Sequence, residues 1–172
     1  DSFVSRGLGD VYKRQYHGCG NDFIIINNLS KTLPNLSKDL IKQLCDRKFG
    51  IGADGLIIVN ESSEYPFKMT YYNSDGNIST MCGNGGRCVV HYCYSQKIIG
   101  ENSDFIACDG VHSSFVNGNF VKISMNNVSE YKAVDENIFM DTGSPHLVIR
   151  KNKLNDIDII PISREIQKTK LF

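Results

Sequence analysis

The sequence predicts an α+β protein, and two observations carry that prediction. Short apolar or alternating segments recur along the chain, each closed by Gly, Asn, Asp or Pro, as strands are. Only two stretches carry a helical period, and they do not alternate regularly with the strands, so a doubly wound parallel sheet is not expected. At 172 residues the chain can hold one domain, or one domain and part of another.

Residues 1–15 end in Gly9-Asp10-Val11-Tyr12-Lys13-Arg14-Gln15 and show neither strand alternation nor helical period. Residue 1 is Asp, and the segment is read as a non-native leader. Residues 23–28 form an isoleucine-rich apolar run, read as a buried strand. Ser37 is the expected N-cap of a helix through Cys45, with Leu40, Ile41 and Leu44 on one face. A glycine-rich loop, Gly50-Ile51-Gly52-Ala53-Asp54-Gly55, precedes a strand over residues 56–59. Residues 67–72 form another strand, closed by the turn Asn73-Ser74-Asp75-Gly76-Asn77.

The second helix is expected from near Gly83 to near Lys97, with Val89, Tyr92, Cys93 and Gln96 at helical spacing. A β-meander follows: residues 105–108, 111–116 and 120–125, joined at Asp109-Gly110 and Asn117-Gly118-Asn119. Residues 128–136 have little apolar period and are read as a crossing segment. Strands over 138–141 and 147–150 flank Thr142-Gly143-Ser144-Pro145-His146, and residues 165–172 belong to an unfinished element.

Lys+Arg and Asp+Glu both number 19, for a formal net charge of zero. Bulk charge therefore gives no reason to expect a nucleic acid or an anionic membrane as partner. No apolar run approaches a membrane span in length, and no secretory signal pattern occurs. None of the six cysteines forms a C-x-x-C pair, so the sequence suggests neither structural zinc nor a disulfide framework. The expected compartment is the cytoplasm. Cys45, Cys93 and Cys108 are expected to be small buried hydrophobes.

The segment Met81-Cys82-Gly83-Asn84-Gly85-Gly86-Arg87-Cys88 carries the strongest chemical signal. Its glycines allow close backbone approach, and a helix starting there has free N–H groups and the positive end of its macrodipole. Both features stabilise a thiolate and can hold a substrate carboxylate. Cys82 is therefore a candidate for proton transfer or nucleophilic attack; the alternative is a structural cysteine at a helix start. Asn21, in Gly18-Cys19-Gly20-Asn21-Asp22, could bind an amino acid head group or serve only as a turn residue. The same pair of readings applies to Asn73.

The loop before Gly55 resembles a phosphate cradle but opens a strand and lacks Gly-Lys-Ser/Thr, so a nucleotide site is rejected. Asp54 is left to brace the loop or the site. His146, after a fixed turn, could orient a thiol or accept its proton, or could be structural. His17 is a weaker candidate, and His91 and His112 carry no signal.

Taken together, five blocks resemble the amino-terminal half of the diaminopimelate epimerases. They are His17 through Phe23, Cys45 through Gly55, Asn73-Ser74-Asp75-Gly76, Met81 through Cys88, and Gly143-Ser144-Pro145-His146. Order and spacing agree from about Tyr16 to Arg150.

The resemblance implies a curved, mostly antiparallel sheet around a central helix, followed by an incomplete second pseudo-symmetric domain. The first domain would span residues 16–131, and residues 132–172 would begin the second. It implies epimerisation of LL- and meso-diaminopimelate, in lysine biosynthesis, by two cysteines on opposite faces of the α-carbon and without pyridoxal phosphate or another cofactor. Cys82 matches the first of these, with His146 beside the catalytic pair. Asn21, Asn73, Gly83, Asn84 and Ser144 would contact substrate. The second cysteine block is expected beyond residue 172, which leaves the fragment itself inactive.

The implied partner is a small-molecule substrate, and the full-length enzyme is compatible with a homodimer. Ser144 stands where the family often has Asn, with shorter reach. Some members carry Gln where Gly55 stands, so no substrate contact is assigned there. The rival readings are a proline racemase-like isomerase, a Cys82–His146 hydrolase and a non-catalytic amino-acid-binding module.

Overall fold

The computed structural model describes residues 13–153 and 157–169. The chain divides into two compact units, Asp1–Asn126 and Asn127–Phe172.

In the first unit, one seven-stranded sheet runs in sequence order. Its strands are β1 (Lys13–Gly18), β2 (Asn21–Asn28), β3 (Gly55–Asn60), β4 (Lys68–Asn73), β5 (Asn102–Ala107), β6 (Gly110–Asn117) and β7 (Phe120–Ile123). Helix α1 (Lys38–Cys45) lies in the β2–β3 connection and α2 (Gly83–Ser95) in the β4–β5 connection. Those two strand pairs are parallel and the other four antiparallel. A parallel pair needs a crossover, and here each crossover contains a helix. The β4–β5 seam is narrow, registering only at Lys68 and Ile106, and Phe67 and Phe105 reinforce it with rings stacked 5.1 Å apart.

The apolar runs in β2 and β3 follow from burial on both faces. Phe23, Ile25, Ile57 and Val59 point into the larger core around α2. Ile24, Leu56 and Ile58 point the opposite way, toward Ile41 and Cys45 of α1. The sheet curves around α2, which contacts β1, β2, β3, β4, β6 and β7. Enclosure on this scale explains why Cys88, Val89, Val90, Tyr92 and Cys93 are all buried, on more than one side of the helix. Val89 and Val90 each contribute roughly 1.5–3 kcal/mol on leaving water.

Ser37 caps α1 as expected, its Oγ accepting from Leu40 N at 3.2 Å. Leu40 does not join the buried face: Ile41 and Cys45 are inside, whereas Leu40 is exposed. Cys108 also departs from expectation. It falls just past β5, where the alternation that buries Phe105 and Ala107 turns it outward, and it is exposed. Lys13, Arg14 and Gln15, read as leader on sequence grounds, lie in β1 and register against Ile26, Ile25 and Ile24.

The second unit holds a three-stranded antiparallel sheet in the order β10-β9-β8. Its strands are β8 (Tyr131–Val134), β9 (Asn137–Asp141) and β10 (Pro145–Val148). The crossing segment expected over 128–136 is thus overturned, since β8 occupies its second half and turns directly into β9. The last strand begins two residues earlier than expected. A third helix, α3 (Ile159–Gln167), is capped by Asp158, whose Oδ1 accepts from Ile160 N at 3.1 Å. No residue of α3 is buried, and Ile159, Ile160 and Ile162 are exposed.

Candidate active site

A two-residue turn, Cys19-Gly20, with φ of 55° and 82°, joins β1 to β2 and sets Asn21 at the start of β2. Positive φ at both positions suits the twist of a tight hairpin. Across the sheet end stands the start of α2. Cys82 is its N-cap residue in extended conformation (φ −109°, ψ 120°), its carbonyl accepting from Gly86 N at 2.7 Å. Its side chain makes no capping hydrogen bond, and the first turn carries no acidic residue. The N–H groups of Gly83, Asn84 and Gly85 have no carbonyl partner within the helix. Gly86 lets Met81, which leads the chain into Cys82, pack close: a Cβ there would stand 2.5 Å from Met81 Cε and oblige that side chain to shift.

Cys82 Sγ donates to Asn21 Oδ1 at 3.8 Å. Asn84 Nδ2 donates to the same oxygen at 3.3 Å, and Arg87 Nη2 donates to Asn84 Oδ1 at 2.5 Å. On the other side of Asn21, its Nδ2 donates to Asp54 Oδ2 at 2.8 Å. Arg47 joins Asp54 to Asp22: Nη2 reaches Asp54 Oδ1 at 2.9 Å, while Nη2 and Nη1 bind Asp22 Oδ1 and Oδ2 at 2.7 and 3.1 Å. Burial of Asp22 works against its ionised form. The Arg47 guanidinium and the Asp54 N–H outweigh this and hold its carboxyl below the ordinary carboxylate range. The same two carboxylates raise the pKa of Arg47.

The six thiols fall into three settings. Cys45, Cys88 and Cys93 are buried, Cys82 is half-buried, and Cys19 and Cys108 are exposed. Burial pushes all three buried thiols up, Cys88 to about 12. Cys82 therefore combines access, a hydrogen-bond partner and a helix start. Tyr71 packs with Met81 and Cys82 against the α2 core, and burial, followed by the nearby Cys82, pushes its hydroxyl up to about 12.

The structure thus brings Cys82, Gly83, Asn84 and Asn21 together. Asn73 ends β4 opposite Gly55, where Ser74 N donates to the carbonyl of Asp54 at 3.1 Å. Ser144 and His146 belong to the second unit. There His146 Nδ1 faces Ser144 O at 2.7 Å and Thr142 Oγ1 at 3.3 Å, and His146 helps line an apolar cavity of about 570 Å³ with Leu147, Ile159, Ile162 and Ile166. Asp22, Arg47, Arg87 and Tyr71 were assigned no role from the sequence. For Asp22, Arg47 and Arg87 the one sequence signal is charge placed in or beside glycine-rich segments; Tyr71, in an ordinary strand, carries none.

The chain shares the fold of a hydroxyproline epimerase from Agrobacterium vitis, with a TM-score of 0.51 over 74% of this chain and 47% of that one at 10% identity. It is also similar to a Bacillus anthracis phenazine biosynthesis protein of the PhzF family (TM-score 0.50, 69% and 42% of the two chains, 16% identity). At these identities the likeness defines the architecture, the diaminopimelate-epimerase-like half-barrel of curved mixed sheet around one helix. The family model for diaminopimelate epimerase matches residues 14–148, and the chain belongs to that family. It is 45% identical to the diaminopimelate epimerase of Flavobacterium psychrophilum over 94% of this chain and 63% of that protein. To that of Chlorobaculum tepidum it is 38% identical, over 89% and 62%. The chain therefore spans somewhat less than two thirds of the length of these relatives.

Proposed function

We propose that the chain carries one half of a cofactor-independent epimerase interconverting LL- and meso-diaminopimelate in lysine biosynthesis, in the cytoplasm. The observation that carries this reading is the seat of Cys82: a half-buried thiol at an uncapped helix start, hydrogen-bonded to Asn21. There Cys82 is one of two cysteines on opposite faces of the α-carbon, of which the thiolate removes the α-proton and becomes a thiol. The other cysteine, as a thiol, gives its proton to the opposite face of the α-carbon, completing inversion. The N–H groups of Gly83 and Asn84 are placed to hold the substrate carboxylate, where charge builds as the α-carbon is deprotonated. Asn21 and Asn73 supply further substrate contacts, and the family match makes Ser144 a candidate for substrate contact and His146 a candidate for the acid–base chemistry.

Inversion needs a base on each face, so the 172-residue polypeptide, carrying one wall of the site, does not invert the substrate by itself. The test follows solvent deuterium at the α-carbon of diaminopimelate. A protein of the relatives' full length should exchange it with inversion and lose the activity on Cys82→Ala. An acyl-enzyme on Cys82 without α-exchange would instead indicate a hydrolase. Inversion by the 172-residue chain above its own Cys82→Ala control would overturn the requirement for a second half.

A further inference from the structure

An asparagine amide can be turned either way round, presenting an oxygen acceptor or two N–H donors to the same neighbour. Which way Asn21 is turned decides what Cys82 meets. The bonds around it leave one answer. A carboxylate only accepts and a guanidinium only donates. Asp54 Oδ2 faces Asn21 Nδ2 at 2.8 Å and also accepts Asp22 N at 3.1 Å, so the nitrogen of Asn21 must lie on that side. Arg47 occupies the other oxygen of Asp54. At the far end Arg87 Nη2 donates to Asn84 Oδ1 at 2.5 Å, so the nitrogen of Asn84 must point away from Arg87. The two settings meet where Asn84 Nδ2 reaches Asn21 Oδ1 at 3.3 Å, and they agree. Reversing either asparagine alone would set oxygen against oxygen or nitrogen against nitrogen.

We propose that Asp54 and Arg87 are positioning residues that fix, from opposite ends, the amide orientations of Asn21 and Asn84, so that Asn21 turns its carbonyl oxygen to the Cys82 thiol. The pair of ends gives the chain its direction, and each end supports what the other sets. The helix N–H groups and the second amide hydrogens of Asn84 and Asn21 are then donors left for a bound substrate. Asn21 serves the sulfur first. The inference deepens the reading of Cys82 as the working thiol and rests on it for its purpose, but its test reads amide orientation whether or not the chain turns over substrate.

The test is nuclear magnetic resonance on the 15N-labelled chain. In the parent, the side-chain amide protons of Asn21 should show Overhauser contacts to the backbone N–H of Asp22 and none to the β-protons of Cys82. Arg87→Lys, which keeps a donor-only end, should preserve this pattern. Asp54→Asn combined with Arg87→Met makes the acceptor-only end ambiguous and removes the donor-only end, so contacts to Cys82 should appear. Retention of the parent pattern in the folded double variant would overturn the inference. Contacts to Cys82 in the parent itself would do so without any variant.

Discussion

Gly55 and Tyr71 compete for one space. A Cβ on Gly55 would lie 2.5 Å from Cε2 of Tyr71 and 3.0 Å from its hydroxyl. The ring leans from β4 across the start of β3 and meets Phe23 edge-on, with centroids 5.7 Å apart. Glycine at residue 55 and tyrosine at residue 71 are one packing solution beneath Cys82.

Gly55→Ala should therefore destabilise by roughly 1–3 kcal/mol, as overpacking does. Tyr71→Ala should relieve only part of this, because the carbonyl of Tyr72 also stands 2.6 Å from the new Cβ. Urea denaturation of the parent, both single variants and the double variant measures the coupling, expected at about 0.5 kcal/mol or more. Strict additivity would mean that the ring yields freely.

The thiols should separate by reactivity. With native protein at mildly alkaline pH, iodoacetamide should label Cys19, Cys82 and Cys108, leaving Cys45, Cys88 and Cys93 until unfolding. Peptide mass spectrometry reads each site. The buried thiols also link stability to pH. Their folded values lie above the ordinary thiol value, so the unfolded chain loses these protons first as pH rises. Stability should fall above that ordinary value, and Cys93→Ala should reduce the slope.

Asp22 gives the opposite sign. Its folded carboxyl lies below its ordinary value, so the contribution is complete above that value and is lost as pH falls through the folded one. Urea midpoints measured down the acid limb should drop less steeply in Asp22→Asn than in the parent. Parallel limbs would show that the Arg47 contact adds nothing to stability.

The elements that sequence reading found are those whose causes are local. The apolar runs of β2 and β3, the Ser37 cap and the glycine-rich start of α2 each lie within a few residues. β8 escaped because Tyr131, Lys132 and Ala133 are exposed, so the strand buries no alternating face that would leave a period. The site was half legible on the same ground. Cys82, Gly83 and Asn84 are neighbours in sequence, but the ion network joins Asp22 to Arg47 across 25 residues. Nothing short of the folded sheet puts those charges together. Cys108 was misjudged because a cysteine's burial depends on which side of a strand end it falls.

His112 was set aside on sequence grounds, yet it is fully buried. The alternation of β6 sends His112, Ser114 and Val116 inward. The ring stacks on Phe105 at 5.4 Å, while Nδ1 meets Ser124 O at 2.8 Å and Nε2 meets Asp109 Oδ1 at 3.0 Å. It therefore ties the β5–β6 turn to the end of β7. His112→Phe keeps the stacking and most of the volume but leaves both acceptors without the ring. It should cost about 0.5–1.5 kcal/mol, the net worth of a hydrogen bond whose acceptor can turn to water, because Asp109 and Ser124 are exposed. His112→Ala adds a cavity and should cost more. Equal stability of His112→Phe and the parent in urea would reduce His112 to a packing residue. A loss shared by Asp109→Ala, and not increased in the Asp109→Ala/His112→Phe pair, would place the energy in the Nε2 contact.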